Sequence, residues 1–333
     1  MVLDLGFLGD TVHLLPALWK VRQAYPQAEL HAAVAEHITS VMGCLPWVDR
    51  VWGYARFPKH ATLRQNLQMV ARLRREAFDV LINLNGSDRS SWLTLLSGAR
   101  ARLGRRPRDG GPPFWRWMFT DFIRYQAATE PVYVQKCRCL ELAGFPGGPP
   151  EFHVQISAAH LEAARITPAE SGTYFHLSPF TTADKKELSP AQFTEVIGRL
   201  EEQFPEKRWV LSGAPTERER KKMQALVAGL RRPPWRVFAG ELNLVQLAAV
   251  IQHSALHLSG DTGTLHLALM TGVPSVSWFR PGPGINVWAP SGDRHRTIVG
   301  KAESEAAALT GIDSGELIRA VAEVLSSPRL TEG

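Results

Sequence analysis

The segment Gly260-Asp261-Thr262-Gly263-Thr264-Leu265-His266 gathers a carboxylate, two hydroxyls and an imidazole within seven residues. It follows the apolar run Ala255 to Leu258 and precedes Leu265, Leu267, Ala268, Leu269 and Met270, so it reads as the turn between a buried strand and a packed helix. Backbone N–H groups left open at a helix start, backed by the positive end of the helix dipole, attract a phosphate or pyrophosphate over Thr262 to Leu265. Asp261 or Thr262 acting only as a helix cap would give the same local sequence.

In the first half, Gly9-Asp10-Thr11-Val12-His13 follows an apolar run, Val2 to Leu8, that reads as a strand, and Leu14 to Leu18 continues as a helix. A carboxylate at a strand's carboxyl end, beside a glycine that admits a ligand, is placed to act as a general base. An N-cap is the competing reading of Asp10, and His13, on an apolar first turn, reads as packed rather than basic. The strand Tyr174 to Leu177 leads into a loop where the hydroxyls of Thr181 and Thr182 and the ammonium of Lys186 could grip phosphate oxygens. After the strand Arg208 to Leu211, Glu217 could accept from ribose hydroxyls or could simply start a helix.

The elements that hold these loops are short apolar runs alternating with helical segments, the rhythm of an α/β chain with parallel sheets and crossover helices. The turn-rich stretch 144–150 divides the chain, giving a first domain over 1–150 and a second over 151–333, whose last helix is expected to pack back on the first. With 333 residues and 44% hydrophobic content, two such cores can be filled. Two doubly wound domains facing across a cleft is the simplest architecture, with ligands at the carboxyl ends of the strands.

No apolar run reaches the length of a spanning helix, and Asp4 and Asp10 interrupt an N-terminus that might otherwise pass for a signal peptide. Cys44, Cys137 and Cys139 make no disulfide framework and read as free thiols, which suits a cytoplasmic protein. The net charge of +6 is unevenly spread: Arg72, Arg74 and Arg75, then Arg100, Arg102, Arg105, Arg106 and Arg108, then Arg116 and Arg124 among Phe114, Trp115, Trp117 and Phe119. Arginines interleaved with aromatics suit an anionic membrane surface. Nucleic acid ranks lower, since no helix-turn-helix, zinc finger or RNA-binding motif accompanies them.

Taken together, the motifs resemble a family. Gly9-Asp10-Thr11-Val12-His13 with Leu15-Pro16-Ala17-Leu18 is similar to the opening of the family 9 glycosyltransferases, the bacterial lipopolysaccharide heptosyltransferases. Asp261-Thr262-Gly263 with His266, Ala268 and Gly272-Val273-Pro274 resembles their nucleotide-diphosphate loop, and Thr181-Thr182 with Lys186, and Gly213-Ala214 with Glu217, are most similar to heptosyltransferase I. The resemblance implies a GT-B fold of two Rossmann-like domains, the first for the acceptor and the second for a nucleotide sugar, with inversion at the anomeric centre. It implies Asp10 as base. Lys186, Thr181, Thr182 and the N–H groups of Thr262, Gly263 and Thr264 would stabilise the leaving diphosphate, Glu217 would hold the ribose, and Asp261 and His266 would order the phosphate loop or touch the sugar. Gly9, Thr11, His13 and Arg105 would contact the acceptor.

The family further implies ADP-heptose as donor and a lipid-linked inner-core acceptor such as Kdo or heptose. No cofactor or metal is expected, which agrees with the lack of an Asp-x-Asp motif, and a monomer at the inner face of the inner membrane is expected. Two positions depart from the pattern: Leu188 stands where a tryptophan is usual, and Asp4 where the opening strand carries an apolar or basic residue. A nucleotide-sugar epimerase of the same architecture, or a non-catalytic nucleotide-sugar binder, would share most of these motifs.

Overall fold

The computed structural model describes residues 1–56, 61–105, 113–123 and 129–326; Arg106, Arg108 and Arg124 lie outside the described residues. The chain divides into two units, Met1–Gln155 and the remainder from Ile156.

In the first unit, β1 (Val2–Leu3) leads into α1 (Leu8–Val12) and α2 (Leu15–Ala24). Then come β2 (His31–Ala35), α3 (Thr39–Met42), β3 (Arg50–Tyr54), α4 (Leu63–Glu76), β4 (Val80–Asn83), α5 (Asp88–Leu96), β5 (Ala101–Arg105), α6 (Trp115–Met118), β6 (Asp121–Ile123) and α7 (Val132–Leu142). The strands are all parallel, in the order β3-β2-β1-β4-β5-β6. The apolar run expected to be one strand up to Leu8 is broken early. Asp4 turns the chain out of the sheet by accepting the Gly6 N–H at 3.0 Å, and Leu8 is already helical. Strands β3, β5 and β6 have no counterpart among the apolar runs, because β3 and β6 are half-wet edges and β5, next to β6, is only partly buried and carries arginine and glycine.

The second unit contains α8 (Ala158–Ala163), β7 (Tyr174–Ser178), α9 (Pro190–Gln203), β8 (Arg208–Ser212), α10 (Glu217–Gly229), β9 (Arg236–Phe238) and α11 (Leu244–Gln252). It continues through β10 (Leu256–Gly260), α12 (Gly263–Met270), β11 (Ser275–Phe279), α13 (Ile285–Trp288), β12 (His295–Val299) and α14 (Ser314–Ser326). The parallel order is β12-β11-β10-β7-β8-β9, the same winding as in the first unit. Strands β7, β10 and β11 are buried throughout, as expected for central parallel strands covered on both faces. Helix α14 buries Leu317, Ile318, Val321 and Val324 at helical spacing against α9, β11 and β12 of its own unit. Leu188, the departure from the family pattern, is 6% exposed and belongs to the same core as Phe180, Phe193 and Trp278.

Each sheet is wound outward in both directions from one pair of strands, β1 and β4 in the first unit, β7 and β10 in the second. At these pairs the connections leave to opposite sides, which opens a crevice at the strands' carboxyl ends where no crossover covers them.

The second unit also buries histidines. His176 on β7 and His257 on β10 stack with their Nδ1 atoms 2.8 Å apart, so one ring donates and the other accepts, and both are neutral. Burial pushes His176 down to about 3 and His266 and His295 to about 4, and takes His257 well below its ordinary value. A histidine whose folded pKa is depressed leaves stability intact above its unfolded value near 6.5 and removes it as the pH falls below that value. Each should steepen the loss by about 1.4 kcal/mol per pH unit. The urea midpoint is therefore expected to fall markedly from pH 7 to pH 5, and His295→Asn, which takes out one of these sites at the sheet edge, should flatten the slope. A midpoint constant over that range would show that these histidines charge within the fold.

Candidate functional site

In the first unit the crevice between β1 and β4 is filled with charge. Asp10 lies in the first turn of α1, where its Oδ2 accepts the Phe7 N–H at 2.9 Å. Its side chain has room because residue 6 is glycine: a Cβ there would lie 2.2 Å from the Asp10 Cβ. From α7, the Lys136 ammonium donates to the Asp10 backbone oxygen at 2.7 Å and pairs with Asp4 Oδ2 at 2.7 Å. The other Asp4 oxygen accepts from the Gly6 N–H and from Asn85 Nδ2, each at 3.0 Å, which ties the exit of β1 to the exit of β4. Arg56, after β3, donates to the Leu5 carbonyl and rests over the Phe7 ring. Burial raises the Asp10 pKa above the usual carboxylate range, opposed chiefly by Lys136 and reinforced by Asp4. A partly shielded carboxylate with a raised pKa is suited to accept a proton.

In the second unit the crevice between β7 and β10 carries a matching arrangement. Lys186 ends a short 3-10 turn after β7, Asp261 follows β10, and the two pair at 2.5 Å with side chains 33% and 30% exposed. Helix α12 starts at Gly263 with Thr262 as N-cap, and the Thr262 side chain makes no capping hydrogen bond to its first amides. The capping alternative for Asp261 and Thr262 is thus not realised. The Thr264 hydroxyl is buried without a partner among the described residues. His266, neutral in this setting, stands edge-on to Trp288. A cavity of about 190 Å³ opens beside the Lys186–Asp261 pair, lined also by Arg280 and Trp288 among others. An uncapped helix start, a lysine and a small cavity make an anion site with room beside it.

A family model described as Glycosyltransferase family 9 (heptosyltransferase) matches residues 67–313, well over half of the chain. The chain belongs to glycosyltransferase family 9. A curated relative, the lipopolysaccharide core heptosyltransferase OpsX of Haemophilus influenzae, is 24% identical over 84% of this chain and 78% of its own length. Among solved structures, the family 9 glycosyl transferase from Veillonella parvula superposes with a TM-score of 0.82 at 19% identity, covering 97% of this chain and 96% of that one. The E. coli heptosyltransferase WaaC with ADP-2-deoxy-2-fluoro heptose gives 0.74 at 19% identity over 97% and 98%. At such identities these superpositions establish the fold, a pair of Rossmann-like α/β units of the GT-B kind.

Within family 9, the motif residues separate into two groups. Asp10, Lys186, Asp261, Thr262, Gly263 and Thr264 stand at the two crevices. Thr182 is exposed on the loop that ends in Lys186. Glu217 is the exposed first residue of α10, paired only with Lys221 at 2.7 Å. Others are spoken for. The Thr181 hydroxyl, expected to grip phosphate, is 1% exposed and donates to the Ala183 carbonyl at 2.8 Å, so it shapes the loop instead. Thr11 and His13, expected at the acceptor, are both fully buried, with His13 edge-on to Tyr133. Gly9 is buried too, and Arg105, at the end of β5, donates to Gln135 on α7.

Five positioning residues were not read as such from the sequence. Asp4 looked like a departure and Lys136 like one more helix lysine. Arg218 on α10 donates to the Thr181 carbonyl and to the carboxylates of Asp184 and Glu187, while Lys222 also pairs with both carboxylates, and together they fix the turn that ends in Lys186. Glu219, rather than the exposed Glu217, is the carboxylate that closes the loop after β8, accepting the Ala214 N–H at 2.6 Å. Only contacts more than thirty residues apart reveal the first four.

The arginine and aromatic stretch also divides. Arg102 donates to the Met118 and Ala99 carbonyls, and Trp115, 3% exposed, donates to Asp88. Among the described residues of the stretch, Trp117 at 78% exposure, Phe114 stacked with Trp92, and the exposed Arg100 and Arg116 stay on the surface.

Proposed function

We propose that this protein moves a heptose from an ADP-linked donor to an inner-core lipopolysaccharide acceptor with inversion. Family membership supports the transfer, and the observation that carries the mechanism is the raised, partly shielded Asp10 carboxylate at one crevice, with Lys186 beside an uncapped helix start at the other. In this reading Asp10 takes the proton of the acceptor hydroxyl as its oxygen attacks the anomeric carbon. The bond from that carbon to the diphosphate breaks, and its electron pair leaves with ADP. Lys186 and the first amides of α12 meet the charge that builds on the diphosphate, a task they can perform without a divalent metal. Thr182 reaches the same oxygens, Glu217 accepts from the ribose hydroxyls, and Asp261, which holds Lys186 at rest, is freed to face the donor sugar. Neutral His266 serves as a hydrogen-bonding wall and not as a cation.

Asp10→Ala should lower turnover by roughly two to four orders of magnitude while calorimetric ADP affinity stays near the wild-type value. Lys186→Ala should weaken ADP binding and slow turnover together, because it meets a charge present in the ground state that grows in the transition state. Turnover should persist in a chelator. A nucleotide panel in which UDP binds as tightly as ADP would reject the donor assignment. Release of an altered free sugar nucleotide from donor alone would favour the epimerase reading, and donor binding with no turnover would leave a binder.

No helix among the described residues is long and apolar enough to cross a membrane. We propose that the protein meets the anionic inner leaflet peripherally, as a monomer, through Trp92, Phe114, Arg116 and Trp117, since exposed aromatics beside arginine suit the headgroup layer. Flotation with anionic vesicles should drop at least several-fold in Trp117→Ala with Arg116→Ala. Flotation that ignores anionic lipid would count against this surface.

A further inference from the structure

Asp4 puts a second carboxylate beside Asp10. Unopposed, two buried carboxylates destabilise each other's charged form. The structure sets the Lys136 ammonium against them, with Arg56 as a weaker second cation facing Asp10. Lys136 is 2% exposed, and its ammonium bridges Asp4 Oδ2 and the Asp10 backbone oxygen, both at 2.7 Å. Asp4 in turn is held by the Gly6 N–H and Asn85, so both of its oxygens are used. Helix α7, which presents the lysine, is itself pinned: Gln135 accepts from Arg105 and donates to the Glu130 carbonyl, and Glu141 pairs with Lys20, which also donates to the carbonyls of Pro146 and Gly148.

We propose that the buried Asp4–Lys136 pair is the positioning device for Asp10, with Lys136 fixing the helical turn that carries the carboxylate and holding a counter-charge beside it. The proposal rests on reading Asp10 as the acceptor base, and it adds that the cation serving this base comes from a helix 126 residues away. The charged groups facing Asp10 are Lys136 from α7, Asp4 from the exit of β1 and Arg56 from beyond β3. Removing the two members of the pair must therefore act with opposite signs. Without Lys136 the base keeps its proton to higher pH, whereas without Asp4 the unshared lysine makes it release the proton at lower pH. A pair that merely supported the fold would have no such signed effect.

The test is the titration of the Asp10 carboxyl in full-length protein carrying ¹³C-aspartate, assigned with Asp10→Asn. Lys136→Met is expected to move the midpoint up by about one unit or more, and Asp4→Asn to move it down. The acid limb of kcat/KM should follow each shift, with kcat falling and the KM for the nucleotide sugar unchanged, and Lys136→Arg should restore most of the wild-type profile. The double variant Asp4→Asn with Lys136→Met, neutral at both sites, supplies a folded reference in case a lone buried charge is not tolerated. Its Asp10 should titrate above wild type. An Asp10 midpoint that stays put in these variants, or shifts in the same direction in both single variants, overturns the proposal. If the signed shifts appear but Asp10→Ala retains turnover, the coupling stands and the base assignment falls.

Discussion

A parallel sheet wound outward in two directions leaves one gap where its connections part, and each unit of this chain puts its charges at that gap. Crossover helices leave this gap open, and loops from two strands approach one another across it. In the first unit Asn85 from the exit of β4 reaches Asp4 from the exit of β1. In the second, Lys186 from the exit of β7 meets Asp261 from the exit of β10. The winding order thus decides which motif residues can become neighbours.

Burial then gives the two ion pairs different duties. Asp4 and Lys136 are almost completely enclosed, and separating them would leave a charge in a poor solvent, a cost of about 3–5 kcal/mol for such pairs. That pair is a fixture. Lys186 and Asp261 are each about a third exposed, where solvent weakens the attraction, so a diphosphate can replace the carboxylate as the lysine's partner. The proposed mechanism would use this division, since a base needs a constant electrostatic setting and a leaving group needs a cation that can be redirected.

The arginines show a related sorting. Arg102, Arg105 and Arg218 donate to carbonyls, an amide or carboxylates within their own unit and hold turns in place. Their planar, multidentate heads make them suitable for such ties, whereas among the described residues Arg100 and Arg116 stay exposed, Arg116 beside Trp117.

The sequence by itself determined the alternation of strands and helices, the positions of the loops that hold Asp10, Lys186 and Asp261, and the family to which those loops point. These are local matters, since an apolar run beside a polar turn and a helix start is legible over ten residues. Strands β3, β6 and β12 escaped because wet edges carry no apolar run, and β5 because it is only partly buried and carries arginine and glycine. Tertiary structure alone decided that the hydroxyl of Thr181 faces inward while Thr182 faces out, that Thr11 and His13 are enclosed, and that Glu219 closes the loop beside the exposed Glu217. It alone turned Asp4 from an oddity into half of a buried pair. The reason is that desolvation and Coulomb attraction act over a few ångströms in space, and Lys136 reaches Asp4 and Asp10 only when α7 is packed beside the opening strand.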